Sequence, residues 1–297
     1  MNMPKALKRI ARKNSFLFVL YNIPRLLKGY YPIFLDYPLV PAPRYGYGKP
    51  PHQKLYQIFS ADRGRFIATL AQFRTLDPHL LQMPLRTPKS SGEPCWINKW
   101  FDGLDTLALY GFVALRKPAQ YLEIGSGYST KVVRRAIQDH KLATKVTSID
   151  PFPRAEIDAL CDNVIRNPLH DVDLKQFDSL GHGDILFLDG SHRCFMNSDV
   201  SVFFLDILPN LSPGVLVHIH DIDLPYDYMP ERAEWYYSEQ YLLATSLLAG
   251  HKNFRVVLPN AFVSAEPDCM KPLESLWANP TLAEVPRKGI SFWLEIV

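Results

Sequence analysis

The chain has 297 residues, of which 47% are hydrophobic, and a formal net charge of +3. These values fit one large soluble globular domain or one domain with a substantial extension, exclude a largely disordered chain, and argue against nucleic acid as a partner. The four cysteines show no Cys-x-x-Cys spacing, which indicates reduced thiols of a cytoplasmic protein rather than a disulfide framework or a zinc site.

Residues 1–50 form a basic arm whose second half is rich in proline and tyrosine. Seven Lys and Arg residues precede the first acidic residue, Asp36, and flank the apolar run Phe16 to Leu20. Residues 1–35 have three interpretations: an amphipathic segment on an anionic membrane surface, a transit peptide, or a solvated arm that docks on its own domain. A spanning helix is excluded, because no stretch of about 18 uncharged apolar residues exists.

Apolar residues at helical spacing predict helices over residues 53–75 and 101–112, so we divide the remainder into a helical N-terminal extension, 51–99, and a main domain, 100–297. Within the main domain, predicted strands and helices alternate. The predicted strands are Tyr121–Ile124, Lys145–Ile149, Asn163–Arg166, Asp184–Leu188, Gly214–Ile219, Phe254–Leu258 and Ile290–Val297, and the predicted helices are Thr130–His140, Ala155–Leu160, Val172–Leu180, Val200–Leu208 and Trp235–Leu248. This order predicts an α/β fold with a doubly wound, mostly parallel seven-stranded sheet, an antiparallel C-terminal edge and an N-terminal extension.

A glycine-containing turn follows the first of these strands, in the sequence Glu-Ile-Gly-Ser-Gly-Tyr-Ser-Thr (123–130). Gly125 and Gly127 allow a tight turn and close backbone approach, and Ser129 or Thr130 can cap the next helix. Such a turn holds a ligand against a helix N-terminus. Asp150 ends the next strand, the position from which a carboxylate binds both hydroxyls of a ribose, which indicates NAD or S-adenosylmethionine without distinguishing them.

Acidic residues also end two later strands, at Asp189 and Asp221. In doubly wound sheets, ligands bind beyond the carboxyl ends of the strands. Because these two strands are expected to be neighbours, the two carboxylates can share one divalent cation, and oxygen ligands favour Mg²⁺ or another hard cation. The alternative is that Asp189 binds the cofactor or caps a helix, while Asp221 caps another loop.

The glycine turn, the motif Leu-Phe-Leu-Asp-Gly-Ser-His (186–192) and the motif His-Ile-His-Asp-Ile (218–222) together resemble those of the class I S-adenosylmethionine-dependent methyltransferases. The resemblance is to the branch with small-molecule and sugar O-methyltransferases, several of them metal-dependent. It extends from about Trp100 to the final Ser-Phe-Trp-Leu (291–294). The third glycine of a dinucleotide motif is replaced by Thr130, and an acidic residue precedes the first glycine. Both differences favour the sulfonium cofactor.

This resemblance implies a Rossmann-like methyltransferase fold and assigns cofactor contacts. Glu123, Gly125 and Gly127 would surround the methionine part, Asp150 would hold the ribose, and the turn at His170 and Asp171 would border the adenine. The candidate cofactor-binding residues are Glu123, Gly125, Ser126, Gly127, Ser129, Asp150, Asp171 and Asp189.

Histidines near the candidate metal site have competing interpretations. His220, at a strand end, is the preferred general base, because imidazole titrates near neutral pH; its alternative is a loop histidine bonded to the backbone. His192 is a metal ligand or an orienting partner of Asp189, and His218 is structural. The candidate catalytic residues are therefore His220, Asp189 and His192. The candidate metal ligands are Asp189 and Asp221, with His192 and His220 as further candidates.

The stretch Leu224 to Trp235 has the length and aromatic content of a lid. Glu239 and Tyr241, on the helix that follows, are candidates for contacts to an acceptor.

The sequence thus predicts a cytoplasmic methyltransferase that moves a methyl group from S-adenosylmethionine to an oxygen of a small molecule or a sugar, with a divalent metal as an assisting ion. The alternatives are an NAD-dependent oxidoreductase and a non-catalytic methyltransferase-fold subunit. Peripheral membrane contact through residues 1–35 and a homo-oligomer both stay open.

Overall fold

The computed structural model describes residues 20, 22–24, 26–27, 39–88, 91–153, 156–250 and 252–297. The chain divides into two compact units, Met1–Pro41 and Ala42–Val297. Most of the predicted basic arm therefore lies outside the described residues, and the predicted domain limits stay a prediction. Within the described ranges, no helix has both the length and the apolar composition required to cross a bilayer.

The second unit begins with helices that precede the sheet and continues with alternating strands and helices. The early helices are α1 (Gln53–Ala61), α2 (Arg63–Phe73), α3 (Asp77–Leu80) and α4 (Gly103–Arg116). They are followed by β1 (Gln120–Ile124), α5 (Tyr128–Asp139), β2 (Lys145–Ile149), β3 (Asn163–Ile165), β4 (Ile185–Leu188), α6 (Asp199–Val202) and β5 (Leu216–Ile219). The chain ends with α7 (Glu239–Leu248), β6 (Phe254–Pro259), α8 (Asn260–Ala265), α9 (Pro267–Met270), α10 (Glu274–Trp277) and β7 (Phe292–Ile296).

The seven strands form one sheet in the order β3-β2-β1-β4-β5-β7-β6. Neighbouring strands from β3 to β5 are parallel, whereas β7 pairs antiparallel with both β5 and β6. The predicted doubly wound α/β fold with an antiparallel C-terminal edge is confirmed. The antiparallel strand is β7, which lies between β5 and the outermost strand β6.

Several predicted helices differ from the structure in kind. The segment 172–180 forms a 3₁₀ turn, Leu174–Ser179, and the region before β3 forms another, Asp158–Leu160. The predicted helix Val200–Leu208 is α-helical only in α6 and continues as a π turn, Phe203–Ile207. Pro209 follows directly, and a proline lacks the N–H of a regular helical turn and conflicts with the preceding carbonyls, so an α-helix cannot continue through it.

Helices α1 and α2 belong to the same hydrophobic core as the sheet. Phe59 of α1 packs against Phe292 of β7 with ring centroids 5.8 Å apart. Phe73 at the end of α2 meets Phe112 of α4 edge to face at 5.1 Å. Such aromatic pairs bury large apolar areas, so these early helices stabilise the sheet they precede.

The strand register aligns the ends of the parallel strands. Ile124 of β1 pairs with Ile149 of β2 and with Leu188 of β4. The strand order reverses between β1 and β4, and a crevice opens at the carboxyl edge where the order of parallel strands reverses. Gly125, Asp150, Asp189 and His220 are the next residues along β1, β2, β4 and β5, so the register places them side by side.

Candidate functional site

A cavity of about 910 Å³ lies at the carboxyl ends of β1, β2 and β4. Part of its wall comes from the glycine turn and part from residues 87–88 and 95–101, which precede α4. Six of the eight predicted cofactor-binding residues line it, whereas Glu123 and Asp171 do not. The six are Gly125, Ser126, Gly127, Ser129, Asp150 and Asp189.

The two glycines of the turn are required for different reasons. Gly125 has a positive φ of 81°, and a Cβ placed on it would lie 1.9 Å from the carbonyl oxygen of Asp189. Gly127 has extended backbone, and a Cβ there would meet no protein atom within 4 Å. Gly125 therefore allows β1 and β4 to approach, whereas the missing side chain of Gly127 leaves space at the cavity wall.

The carboxylate of Glu123 lies beneath this turn rather than on the cavity wall. It is fully buried and accepts hydrogen bonds from the hydroxyls of Ser129 (3.1 Å), Tyr121 (3.2 Å) and Thr130. Thr130 Oγ1 in turn accepts a hydrogen bond from the Gly127 amide at 3.2 Å, which caps α5. The contact implied between Glu123 and the methionine part of a cofactor is therefore replaced by a role in holding the turn.

Burial raises the pKa of Glu123 to about 7, against the opposing effect of the hydroxyl groups that donate to it.

Asp150 is held by two backbone amides at the end of β2. One carboxylate oxygen accepts from the Ser126 amide at 2.9 Å, and the other accepts from the Phe152 amide at 2.8 Å. Each carboxylate oxygen has a further lone pair, so Asp150 can bind hydroxyl groups in the cavity without losing these two hydrogen bonds.

Asp171, the residue predicted to border the adenine, does not line the cavity. Its side chain is 62% exposed, and its neighbour His170 lines the cavity instead.

A wall of the cavity that the sequence did not indicate comes from residues 87–88 and 95–101. The hydroxyl of Tyr128, at the start of α5, bonds both the amide and the carbonyl of Cys95. Asn98 accepts hydrogen bonds from the amides of Trp100 (2.9 Å) and Phe101 (2.7 Å). The composition of this segment indicates only a loop, and nothing in it specifies a contact with a residue about 30 positions later.

Three side chains converge where β4 and β5 end. The ligand atoms of Asp189, His192 and Asp221 all lie within 4.8 Å of one another. His192 Nε2 is 3.2 Å from Asp189 Oδ1 and 3.5 Å from Asp221 Oδ2. His192 and Asp221 both have positive φ, 62° and 57°, a conformation that costs roughly 1–3 kcal/mol in non-glycine residues and is concentrated at functional sites. The structure thus brings three of the four candidate metal ligands together.

His192 is fixed from behind by a residue that we expected only as an acceptor contact. Its Nδ1 bonds Glu239 Oε1 at the start of α7, and both side chains are buried. Burial lowers the pKa of His192, but the Glu239 and Asp189 carboxylates outweigh burial and raise that pKa well above its usual value. Glu239 therefore sets both the orientation and the charge of the imidazole.

The stretch expected to be a lid packs against the protein instead. Leu224 and Tyr228 are buried, and the Tyr228 hydroxyl accepts from the amide of Gln240 at 3.1 Å. The 3₁₀ turn Pro230–Trp235 brings Arg232 Nη1 to 2.7 Å from Asp221 Oδ1. A cationic side chain therefore already contacts the acidic cluster.

The position of His220 does not suit the role of general base. The side chain is buried, does not line the cavity, and stacks on Phe101 with ring centroids 4.4 Å apart. Its ring nitrogens lie 3.3 Å from Ser291 Oγ and from the Trp100 carbonyl oxygen. His218 is also buried and bonds Ser291 Oγ at 2.8 Å, as a structural residue would. Of the predicted catalytic residues, only Asp189 reaches the cavity wall.

Residues 122–222 match a family model described as a methyltransferase domain. No curated protein matches the sequence at a significant level. Among solved structures, the chain is similar to an O-methyltransferase from Bacillus cereus in complex with SAH, with 15% identity, 77% of this chain and 90% of that chain covered, and a TM-score of 0.38. It is similar to the SAH-bound methyltransferase PaMTH1 of Podospora anserina, with 15% identity, coverage of 71% and 93%, and a TM-score of 0.37. It is also similar to the plantazolicin methyltransferase BpumL in complex with SAH, with 16% identity, coverage of 82% and 98%, and a TM-score of 0.37.

Alanine substitutions at the two glycines should show that Gly125 is needed for stability and that Gly127 is not. Gly125→Ala should lower the free energy of unfolding by roughly 3 kcal/mol or more, because its Cβ would collide with the Asp189 carbonyl. Gly127→Ala should change it by less than about 1 kcal/mol, because no protein atom is nearby. Urea denaturation followed by circular dichroism measures both, and equal losses in the two variants would contradict this assignment.

Glu123 should make stability depend on pH. Its raised pKa means that the folded state binds more protons than the unfolded state between pH 4.5 and about 7, so stability falls as pH rises through this window. The free energy of unfolding of Glu123→Gln relative to the parent should therefore increase by up to about 3 kcal/mol between pH 4.5 and pH 8. Urea titrations across this range test it, with the exposed Glu156→Gln as control. A difference that does not change with pH would show that Glu123 is ionised throughout.

Proposed function

We propose that this chain is a class I S-adenosylmethionine-dependent methyltransferase that transfers the methyl group to an oxygen atom of a small molecule or a sugar. The match of residues 122–222 to a methyltransferase-domain model supports this proposal over the NAD-dependent oxidoreductase and the non-catalytic subunit that the sequence had left open. The observation that carries the proposal is the cavity, in which the glycine turn and Asp150 lie on the same wall as Asp189. Asp189 in turn contacts His192 of the cluster at 3.2 Å.

The cavity suits S-adenosylmethionine in size and in chemistry. Its volume of about 910 Å³ is at the upper end of the range for small-molecule sites, which leaves room for an acceptor beside the cofactor. The space next to Gly127 and the N-terminus of α5 can accommodate the amino-acid part, and the free lone pairs of Asp150 can accept the ribose hydroxyls. Carboxylates at the wall also favour a positively charged sulfonium.

When bound, S-adenosylmethionine supplies a methyl group, which forms a bond to the acceptor oxygen as its bond to sulfur breaks. The acceptor hydroxyl must also lose its proton. Asp189 is the group placed to accept it, since its carboxylate is at the cavity wall and His192 Nε2 lies 3.2 Å behind it. Glu239 holds His192 against Asp189, and this contact orients the carboxylate that accepts the proton.

The cluster of Asp189, His192 and Asp221 also suits a divalent cation. The two carboxylates, together with the imidazole once its Nε2 has lost its proton, lie within 4.8 Å of one another and form a donor set that Mg²⁺ or Mn²⁺ accepts. A cation held by these residues would lower the pKa of a nearby hydroxyl and fix its position. We do not assign His220 as a ligand, because both its ring nitrogens are already close to other groups.

Other expectations from the sequence are retained as proposals. We propose a cytoplasmic location, a peripheral membrane contact through residues 1–35, and a division into an arm, 1–50, an extension, 51–99, and a methyltransferase domain, 100–297. The basic residues that flank the apolar run Phe16 to Leu20 support the membrane contact. Self-association also remains open to measurement by analytical ultracentrifugation.

The proposed reaction is tested by incubating the protein with methyl-labelled S-adenosylmethionine and a panel of hydroxylated small molecules and sugars. We expect label on an oxygen of at least one class of acceptor, located by mass spectrometry. Label found only on nitrogen or carbon would contradict the proposed O-methylation.

Substitutions at two strand ends should separate cofactor binding from catalysis. Asp150→Ala should weaken S-adenosylhomocysteine binding by roughly 100-fold, because hydrogen bonds to a carboxylate contribute about 1.5–3 kcal/mol each. Asp189→Ala should keep binding within about tenfold but abolish methyl transfer. Calorimetry measures the affinities, with the exposed Asp171→Ala as matched control. Undiminished affinity in Asp150→Ala would contradict the ribose assignment.

Removal of divalent ions should reveal whether the acidic cluster works with a metal. EDTA treatment followed by gel filtration should lower the methyl-transfer rate by at least about tenfold, and added Mg²⁺ or Mn²⁺ should restore it. S-adenosylhomocysteine affinity should be unchanged by this treatment. Full activity after chelation would contradict the proposed role of a metal in catalysis. It would not contradict the proposed methyl transfer.

A further inference from the structure

The acidic cluster contains a cation supplied by the chain itself. Arg232 Nη1 lies 2.7 Å from Asp221 Oδ1, and the Arg232 side chain is only 13% exposed. Its guanidinium carbon is 5.5 Å from the centre of the Trp235 ring and 5.8 Å from that of Tyr237. Both distances are within the range of cation–π contacts, so two aromatic rings hold the guanidinium where it meets the carboxylate.

A positive charge that belongs to the chain already lies among these carboxylates. The carboxylates of Asp189, Asp221 and Glu239 surround His192, and Arg232 adds its permanent positive charge at Asp221. A divalent cation at the same carboxylates would lie within a few ångströms of the guanidinium. At that distance and in partly buried surroundings, repulsion between two cations changes a binding constant by roughly tenfold or more.

The backbone around Arg232 permits the side chain to leave without disturbing the sheet. Arg232 is in the 3₁₀ turn Pro230–Trp235, which is followed by the left-handed residue Tyr236. Asp221, in contrast, follows β5 directly, and Ile222 is tied by its amide to the carbonyl of Ile290 at 2.8 Å. A short turn opens at lower cost than a strand end, so in any exchange of cations Arg232 is the group that moves.

We propose that Arg232 is the displaceable internal cation of this site, and that it competes with a divalent metal for Asp221. The proposal rests on the metal binding put forward with the proposed function. Arg232 thereby sets the metal affinity of the cluster, and metal entry opens the ion pair between Asp221 and the turn 230–235.

The test is calorimetric titration with Mn²⁺ of the full-length parent and three variants. Arg232→Gln, which removes the charge, should lower the Kd for Mn²⁺ at least about tenfold, whereas Arg232→Lys should stay near the parent value. Arg193→Gln is the matched control, because Arg193 packs on the same Tyr237 ring at 5.1 Å but donates to the carbonyls of Ser191 and Trp235. It should bind Mn²⁺ within about twofold of the parent.

Unchanged or weaker Mn²⁺ binding in Arg232→Gln would overturn the proposal and make Arg232 a supporting partner of Asp221. Absence of Mn²⁺ binding in both parent and Arg232→Gln would overturn it as well. S-adenosylhomocysteine binding, measured on the same samples, shows whether the methyltransferase site itself is intact.

A crystal structure of the parent grown with Mn²⁺ provides a second measurement that needs no variant. The proposal expects anomalous density between Asp189 and Asp221, with Arg232 Nη1 moved away from Asp221 Oδ1. An intact ion pair beside bound Mn²⁺ would overturn it.

Discussion

The site depends on the close contact between the backbone of Gly125 and the carbonyl of Asp189. The Asp189 amide donates to the Ile124 carbonyl at 2.9 Å, and only a glycine at 125 leaves space for the carbonyl that follows. This contact joins the ends of β1 and β4 at the point where the strand order reverses. Because the Ser126 amide also binds Asp150, the same turn positions the end of β2. Three strand ends are thus fixed relative to one another by contacts of one turn, of which the bond to Asp150 uses a side chain.

The acidic groups at the cavity wall and the ionisable groups buried behind them are in different electrostatic surroundings. At the cavity wall, Asp150 and Asp189 line the space that a ligand would enter, and Asp189 also contacts His192. One layer behind, charge is compensated within the protein: Glu123 is surrounded by hydroxyl groups, and His192 is held between Glu239 and Asp189. Buried charge without partners would be costly, and these arrangements explain how so many ionisable groups occur near a single strand edge.

Much of this organisation can be predicted from the sequence. The rest cannot be predicted, for physical reasons. The strands and the acids at their ends follow from short apolar runs that finish on Asp150 or Asp189, since parallel strands place such residues on one edge. Side-chain direction does not follow: Glu123 turns under the glycine loop, and His220 turns toward Phe101. The alternation of side chains along a strand predicts the face of the sheet on which a residue lies. Its contacts on that face depend on hydroxyl groups and aromatic rings from elements that are distant in the sequence.

The cavity wall formed by residues 87–88 and 95–101 lies outside the segment that matches the family model. It joins the matched segment through the hydroxyl of Tyr128 and the backbone of Cys95. Because the bond is to backbone, most side chains of this wall can change without altering the attachment. In evolutionary terms, the part of the chain that holds the strand ends and the part that faces them can diverge at different rates, so the shape of the cavity can change while the positions of the strand ends are kept.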